Sequence, residues 1–227
     1  MPAEIALGDI RLAVDPAGAL VWAAEATVIV ADLHLEKGSA FARKGALLPP
    51  YDTGATLDRL AGVIVRHGAR RVVCLGDSFH DRAAHGRLAA DDRCRLHALA
   101  TAVDWIWVAG NHDPASPDGL GGRTVDELAL GPLTLRHAAR AGERGPELSG
   151  HFHPVARVAT GPRRIARRCF IADARRAILP AFGAYAGGLD IGDPAIAGLF
   201  PHGFTAHLLG ETRTFAFPSG HPGLLCG

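Results

Sequence analysis

Five short apolar runs in this chain each end in a cluster of Asp, His and Asn side chains, and this feature constrains the fold most. In chain order the runs end in "ADLH", "LGDSFHD", "AGNHD", "LRH" and "GHFH". A short apolar run that stops at polar residues is typical of a buried strand and the turn after it. Because ligands collect beyond the carboxyl ends of strands in open α/β sheets, the pattern predicts an α/β chain in which these ends converge on one pocket.

The segments between these runs predict helices and turns. Apolar residues at helical spacing predict a helix that Asp52 or Thr53 caps and that ends at Gly68, and "AADDRCRLHALAT" predicts a second helix. The glycines and the Pro-Pro pair of "GSAFARKGALLPPY" predict a loop. Strands and turns are predicted after Thr160. With 227 residues, 48% of them hydrophobic, and no visible linker or repeat, we expect one domain over residues 1–227.

Charge and cysteine usage restrict the partners and the compartment. The formal net charge of +1 gives no general attraction to nucleic acid or to a membrane surface. The four cysteines are widely spaced without a CxxC pair, which disfavours a zinc knuckle or a redox motif. Neither a signal peptide nor an apolar run of membrane-spanning length is present in the sequence. We therefore expect a cytoplasmic protein with no membrane partner.

Taken one at a time, the clusters are weak signals. Asp32 and His34 would share a face of a strand, but this pair is common. The run at 110–113 is more specific, because glycine permits a tight turn before an amide, an imidazole and a carboxylate. A polar turn is the alternative. His151 and His153 suit either surface residues or ligands of two metal ions. If all these residues only capped strands, they would be crowded with nothing to neutralise them.

As an ordered set, the clusters resemble the motifs of the calcineurin-like metallophosphoesterase superfamily. Its D-x-H, G-D, G-N-H-[DE], lone H and G-H-x-H motifs all occur in that order from Asp32 to His153. The resemblance implies an α/β fold with four layers, an αββα sandwich in which helices flank two mixed β-sheets. It also implies two divalent metal ions. Carboxylate, imidazole and amide ligands suit manganese, iron or zinc, and manganese is expected.

The resemblance also implies which residues bind each ion. The first ion takes Asp32, His34, Asp77 and His153, and the second takes Asp77, Asn111, His137 and His151. Asp77 would bridge the ions, so that His151 and His153 serve one ion each. A hydroxide between the two ions is implied to attack phosphorus in line with the leaving oxygen. His112 is implied to assist the leaving oxygen rather than to bind metal.

A carboxylate usually orients this histidine in the superfamily, and many members place it three residues after the bridging Asp. Here that position holds His80, so that Asp81 or Asp113 is expected to take over the orienting role. His80 is then a candidate for contact with the substrate.

"ADLHLEKGSAFARKGALLPPYDT", "GDSFHD", "GHFHPVARV" and "AILPAFGAYAGGLD" are similar to a smaller bacterial group, the ligase-associated DNA damage response endonuclease PdeM group. The similarity runs from about Ala31 to Asp190. It implies a manganese-dependent phosphodiesterase that cuts DNA during repair. Functional association with a DNA ligase, a helicase and a second nuclease is also implied. Single-stranded or flap-like DNA is the expected substrate.

Basic residues near the motifs are candidates for DNA contact. Seven arginines lie from Arg157 to Arg176, and within that stretch we expect Arg163 and Arg164 to track a sugar-phosphate backbone. Arg43, in an aromatic and basic loop, is the other candidate. The alternative is a solvated surface on an arginine-rich chain. Two rival functions remain: a phosphomonoesterase or cyclic-nucleotide phosphodiesterase with a small substrate, and a binding module on an inactive phosphoesterase fold.

Overall fold

The computed structural model describes residues 3–113, 119–142, 145–160 and 163–225. Seven strands within these ranges form a first sheet whose spatial order follows the chain. They are β1 (Glu4–Leu7), β2 (Ile10–Asp15), β3 (Ala19–Trp22), β4 (Thr27–Val30), β5 (Arg71–Leu75), β6 (Asp104–Val108) and β7 (Arg123–Val125). The strands β1 to β4 are antiparallel neighbours, and β4 to β7 run parallel. The buried runs that precede the motifs therefore end at one edge of this sheet.

Ten further strands form a second sheet in the described residues. They are β8 (Glu127–Leu130), β9 (Leu133–Arg136), β10 (Glu147–Ser149), β11 (Pro154–Thr160), β12 (Arg163–Ala172), β13 (Arg176–Ile178), β14 (Leu189–Asp190), β15 (Thr205–Leu209), β16 (Thr214–Pro218) and β17 (Leu224–Leu225). The main path runs β14-β11-β12-β13-β10-β9-β8, while β15 joins β12, β16 joins β15, and β17 joins β11. The strand β10 is parallel to both β9 and β13.

The four α-helices described are α1 (Lys37–Ala42), α2 (Asp52–His67), α3 (Ala90–Ala102) and α4 (Pro194–Ala197), and short 3₁₀ turns cover Ala23–Glu25 and Ala84–Arg87. Both helices predicted from spacing are confirmed. Gly68 ends α2 with φ +55°, a left-handed conformation that glycine adopts without steric cost. No helix of the described residues is long and apolar enough to cross a membrane.

Two local predictions are wrong. The predicted loop contains α1, and neither Asp52 nor Thr53 caps α2, because its N-cap residue is Tyr51 without a side-chain cap. The two side chains reach across to α1 instead. Gly38 N donates to Asp52 Oδ2 at 2.9 Å, and the Thr53 hydroxyl donates to Glu36 Oε1 at 2.9 Å. Tertiary hydrogen bonds therefore decide both features.

Three apolar clusters define the layers. Between the sheets, Ile29, Ile106 and their neighbours pack against Leu135, Leu148 and Phe170. Burial of each such side chain contributes about 1.5–3 kcal/mol. Leucines of α2 and α3 cover the outer face of the first sheet. These layers confirm the predicted sandwich of two mixed sheets. The single-domain expectation stays a prediction, and the apolar layer that the two sheets share supports it.

The fourth layer is thinner than the resemblance implies. An apolar cluster on the outer face of the second sheet joins Ile171 and Ile178 to Ile196 and Phe200. Among the described residues, the helix in this cluster is the four-residue α4. Turns and strand residues after Leu199 supply the remaining cover, so this side carries little helix.

Candidate metal centre

The five strand ends meet, as the sequence predicts. Their side chains form two sets of possible metal ligands, and within each set the ligand atoms lie within 4.8 Å of one another. The first set comes from Asp32, His34 and His153, and the second from Asp77, His137 and His151. The strands β4, β5 and β6, which precede the first three motifs, are parallel neighbours in the first sheet. The strands β9 and β10, which precede the last two, are parallel neighbours in the second sheet. The sandwich therefore brings the two edges together around the clustered side chains.

In the first set, three lone-pair atoms face one another. His34 Nε2 and His153 Nε2 are 3.2 Å apart, and His153 Nε2 is 3.2 Å from Asp32 Oδ1. Asp32 is fully buried, and its Oδ1 has no hydrogen-bond partner among the described residues. A buried carboxylate oxygen without a donor is costly unless a cation neutralises it. This donor set fits a divalent cation.

In the second set, the main chain fixes the orientation of His137. Its Nδ1 donates to the Leu75 carbonyl at 2.9 Å, which leaves Nε2 as the inward atom. That Nε2 lies 2.9 Å from Asn111 Oδ1, 3.1 Å from His151 Nδ1 and 3.4 Å from Asp77 Oδ2. Metal-binding histidines are commonly held in this way, with the other ring nitrogen donating to a carbonyl or carboxylate. The second set therefore fits a cation as well.

The charges of the two sets act on each other. Burial raises the pKa of Asp77, but the hydrogen bond from His137 and the positive charge on that ring outweigh burial and hold the pKa at about 2. Burial and the neighbouring His153 lower the pKa of His34 to about 3, while the charge of Asp77 opposes them. Asp77 thus remains ionised and acts electrostatically on both sets, which suits a bridging carboxylate.

Five of the clustered residues have left-handed backbone conformations. The φ angles are +54° at Asp32, +43° at His34, +47° at Asp77, +71° at His151 and +48° at His153. Such conformations in residues other than glycine cost about 1–3 kcal/mol each and concentrate at functional sites. They persist here because neighbouring chain segments hold them.

These angles correct the prediction that Asp32 and His34 share a face of a strand. The strand β4 ends at Val30, and the following chain crosses to the segment after β5, where His34 N donates to the Asp77 carbonyl at 2.9 Å. His151 and His153 likewise lie between β10 and β11 rather than on a strand. Turns therefore aim the ligands, and His151 and His153 reach different sets.

Two motif positions require glycine because another motif packs closely against their backbone. A Cβ atom at Gly110 would lie 2.2 Å from Asp77 N, and one at Gly150 would lie 2.4 Å from Asp32 Oδ2. Each glycine therefore lets one motif pack directly against the carboxylate residue of another. This contact explains why Asn111 and His151 follow a glycine.

His112 lies beside the second set, and a main-chain group orients it. Its ring Nδ1 is 2.7 Å from the His80 carbonyl oxygen, and its ring Nε2 is 3.9 Å from Asp77 Oδ2. The main-chain N–H of His112 donates to Asp77 Oδ1 at 2.9 Å. The side chain is 40% exposed. The imidazole therefore faces both the clustered carboxylate and solvent, where a substrate would arrive.

The two expected orienting carboxylates have other partners. Asp81 accepts hydrogen bonds from Arg87 at 2.8 and 2.9 Å. Asp113 Oδ2 accepts from Phe79 N at 2.9 Å, and burial together with the charge of Asp77 raises the pKa of Asp113 to about 7. The His80 carbonyl, rather than the expected carboxylate, therefore orients His112. Asp113 holds the segment after β5 in place.

His80 lies at the edge of the cluster. Its ring nitrogen and those of His34 and His112 come within 4.8 Å of one another. Burial and then the charge of Lys37 lower the pKa of His80, which favours the neutral ring. The ring centroid is 5.9 Å from that of Phe41 on α1. The substrate contact predicted for His80 stays a prediction, and its position between the cluster and α1 is compatible with that contact.

The arginines predicted to contact substrate are in different places. Arg43 is exposed at the end of α1, the helix that reaches His80. Arg164 pairs with Ala159 and Arg163 with Thr160, at the far end of the hairpin formed by β11 and β12. At about 3.3 Å per residue, these two arginines lie roughly 20 Å from His153 along the strand. They are too far to reach a phosphate at the metal centre.

Arg87 supports the site but was not predicted from the sequence. Besides binding Asp81, its Nε donates to Ser39 Oγ at 2.9 Å, so that it joins α1 to the segment after β5. No motif marks this residue, because its role depends on contacts between segments that are distant in the sequence.

A sandwich of two mixed sheets with Asp, His and Asn side chains gathered at the strand ends is the metallophosphoesterase fold. Comparison with solved structures agrees. The chain is similar to the Pseudomonas putida nuclease MPE, with a TM-score of 0.72 and 28% identity over 94% of this chain and 99% of that one. The resemblance predicted from the motifs is therefore confirmed.

A second solved structure that resembles the chain is YfcE, a phosphoesterase from E. coli. The TM-score is 0.42 and the identity 14%, over 84% of this chain and 97% of that one. No family model matches the chain, and no curated protein sequence matches it.

Proposed function

We propose that this chain is a phosphodiesterase that depends on two divalent metal ions and cuts DNA. The observation that carries the proposal is the pair of adjoining ligand sets at the strand ends. The similarity to a nuclease over 94% of the chain supports a nucleic acid as substrate. Manganese is the proposed metal, with iron or zinc as alternatives, because the sets combine carboxylate and imidazole ligands.

The residues proposed to hold the cations are Asp32, His34, Asp77, Asn111, His137, His151 and His153. Bound cations would supply positive charge to the phosphodiester and lower the pKa of a water molecule. The ionised Asp77 contributes the negative charge that both ligand sets share. The Leu75 carbonyl accepts the proton on Nδ1 of His137, so a cation would bind Nε2 in place of the proton that this nitrogen donates to Asp77.

His112 is proposed to assist the leaving oxygen. Because Nδ1 donates to the His80 carbonyl, the ring can donate from Nε2 only when both nitrogens carry protons. In that form Nε2 would be the free donor, on the side of the ring that lies 3.9 Å from Asp77 Oδ2. The protonated ring would then donate a hydrogen bond, or its proton, to the oxygen that leaves phosphorus.

A surface on α1 and the loop after it suits unpaired bases, and we call it the rim. It consists of Lys37, Phe41, Arg43, Lys44, Leu47 and Tyr51. Leu47 is 87% exposed and Tyr51 72% exposed, both unusually open for large apolar side chains. Exposed aromatic and apolar groups beside cations are typical of surfaces on which single-stranded bases stack. Single-stranded or flap-like DNA is accordingly the proposed substrate.

The experiment compares circular single-stranded DNA with a nitrophenyl phosphodiester, both with manganese. The double variant Leu47→Ala/Tyr51→Ala should cut DNA about tenfold more slowly, since stacking contributes about 1–3 kcal/mol per base. Hydrolysis of the small ester should stay unchanged. Val65→Ala is the matched control, because Val65 is 80% exposed on α2. If wild type leaves DNA intact yet hydrolyses mononucleotides or cyclic nucleotides, the small-substrate alternative holds.

A paired comparison of arginines tests the substrate path. Arg43→Ala should weaken DNA binding, whereas Arg163→Ala and Arg164→Ala should affect only DNA long enough to extend about 20 Å along the hairpin. Equal effects on a short oligonucleotide would contradict this path.

The DNA-repair role, the association with a ligase, a helicase and a second nuclease, and the cytoplasmic location remain predictions of the PdeM resemblance and the sequence. The free thiols of Cys74, Cys94 and Cys169 suit a reducing compartment. Co-purification of the tagged chain from its native cells, followed by mass spectrometry, tests the association.

A further inference from the structure

A cavity of about 940 Å³ lies apart from the proposed metal ligands, and we call it the arginine cavity. One wall is apolar and includes Ala13, Ala17 and Val21. Arg59 and Arg168 line the other wall, together with Arg66 and His67. The cavity is open to solvent between α2, the β2–β3 turn and the turn after β15.

The acidic residues of the cavity leave Arg59 and Arg168 without a countercharge. Asp15 is occupied by Arg66 and His67, at 3.1 and 2.7 Å. Glu211 is exposed at the wall formed by the turn after β15. Among the described residues, no carboxylate lies within ion-pair distance of Arg59 or Arg168. The Arg59 guanidinium lies over the Phe182 ring, 4.5 Å from its centroid. A ring face and main-chain carbonyls thus meet these two positive charges, but no anion does, which is unfavourable in a half-buried site.

The two guanidinium groups share one main-chain acceptor. Arg59 donates to the Phe182 carbonyl, and Arg168 donates to the Ala181 carbonyl at 2.8 Å and to Phe182 at 3.5 Å. Arg59 Nε is buried and has no hydrogen-bond partner. Each guanidinium has five N–H donors, so that most of the donors in this pair are not used by the carbonyls.

The pKa of Arg59 reflects the same crowding. Burial and then the charge of Arg168 lower the pKa of Arg59 to about 10, and burial lowers that of Arg168. A dianion would relieve this repulsion. Among dianions, phosphate matches the two arginines best, because a guanidinium forms two parallel hydrogen bonds with phosphate oxygens.

We propose that Arg59 and Arg168 form a phosphate-binding site separate from the metal centre, which takes a phosphate group carried by a nucleotide unit. The cavity volume exceeds what a lone phosphate fills, and the apolar wall offers contact for the attached organic group. Free nucleotides and the backbone of a polynucleotide both supply this chemistry. None of the lining residues is a proposed metal ligand, so the site does not depend on the proposed function.

The position of the site connects it to the metal centre through one segment. Phe182, whose carbonyl accepts from the arginines, donates its N–H to the Ala31 carbonyl at 2.8 Å. Gly183 N donates to the Asp32 carbonyl at 3.1 Å. The segment at 181–183 therefore contacts both the two arginines and the main chain at Asp32.

Calorimetric titration of the full chain in the presence of a chelator tests the proposal, because the chelator removes metal ions that could bind phosphate and prevents metal-dependent cutting of the ligand. The ligands are inorganic phosphate, a 5′-mononucleotide and a short oligonucleotide. Binding should be measurable without metal. Arg59→Gln and Arg168→Gln should each weaken it at least tenfold, and Arg168→Lys should weaken it less, because lysine keeps the charge. Arg71→Gln is the control, since Arg71 is a partly buried arginine that pairs with Asp104 at 2.7 Å.

The ligand series identifies the source of the phosphate. Tighter binding of the mononucleotide than of the oligonucleotide assigns the site to free nucleotides, and the reverse order assigns it to a polynucleotide. Thermal melts without ligand show whether each variant folds, and the Lys variants of both arginines replace any Gln variant that does not. The proposal is overturned if wild type binds no phosphate in chelator, or if the folded Gln or Lys variants bind it as tightly as wild type.

Discussion

At the residue scale, the candidate metal centre consists of Asp and His side chains held at strained backbone positions. Left-handed conformations at Asp32, Asp77 and His153 turn these side chains out of the strand direction and toward each other. Gly110 and Gly150 permit the close packing that makes this possible. The strain of about 1–3 kcal/mol per residue is offset by cation binding in our account, so that the same residues should matter for metal affinity and for rate.

Asp77→Asn is expected to weaken binding of both cations and to lower turnover. An amide carries no charge, and loss of several kcal/mol of charge stabilisation corresponds to about a 10³-fold fall in rate. Metal content by mass spectrometry and DNA cleavage measure the two effects. Asp91→Asn, at an exposed position of α3, is the control. Retention of both metals at full occupancy by Asp77→Asn would contradict the bridging role.

His112→Ala is expected to keep both metals and to lower kcat by about 10²–10⁴-fold, because the donor to the leaving oxygen is lost. Cleavage kinetics and metal content distinguish this effect from loss of a ligand. His85→Ala serves as a control, since His85 is an exposed histidine nearby in the chain. Metal loss in the His112 variant would mean that the ring is itself a ligand.

The sequence predicted which side chains gather at the site, because each motif follows a buried strand that the apolar pattern marks. It did not predict what orients His112. The partner is the His80 carbonyl, and every residue offers a carbonyl, so no side-chain pattern can indicate it. The left-handed turns were missed for a related reason, since they occur at Asp and His rather than at glycine.

At the element scale, contacts between helices and turns decide what local patterns leave open. The helix α1 forms in a segment whose glycines and prolines favour a loop, because Asp52 and Thr53 of α2 bind its first residues. At the other end of α2, Arg66 and His67 bind Asp15, the last residue of β2. The helix is thus fixed to the sheet at both ends, and only its length and apolar face were predictable from sequence.

Asp15→Asn should destabilise the chain by about 1–3 kcal/mol at pH 7, because a buried charged acceptor is lost. Burial raises the pKa of Asp15, but its bonds with His67 and Ala17 and the charge of Arg66 outweigh burial and lower the pKa below 3.8. A lowered pKa stabilises the folded state above about pH 4, and this contribution is lost as the pH falls through the folded value. The difference between variant and wild type should therefore shrink toward pH 2.

Thermal melts across this pH range measure the change in stability. Asp58→Asn provides the comparison, because Asp58 forms an exposed ion pair with Arg95 and is itself 72% exposed, where such pairs contribute about 0–1 kcal/mol. An equal loss in both variants, or a loss that does not vary with pH, would contradict the role of Asp15.

At the scale of the whole molecule, two sheets that share one apolar layer bring both strand edges to the same site. The motif order predicted this sandwich through its resemblance to metallophosphoesterases, since ligands from both halves of the chain must meet. The thin fourth layer and the arginine cavity were not predictable, because α4 is short and Arg59 lies far from Arg168 in the sequence. Both features depend on packing between distant segments.

The most direct test is an anomalous-scattering map at the manganese edge, from crystals of the chain grown with manganese. We expect two manganese peaks per chain: one beside Asp32, His34 and His153, and the other beside Asp77, His137 and His151. Soaking in chelator should remove both peaks, and chelator should abolish DNA cleavage in solution. Manganese peaks absent from these residues, or cleavage that persists without metal, would rule out the proposed two-metal site.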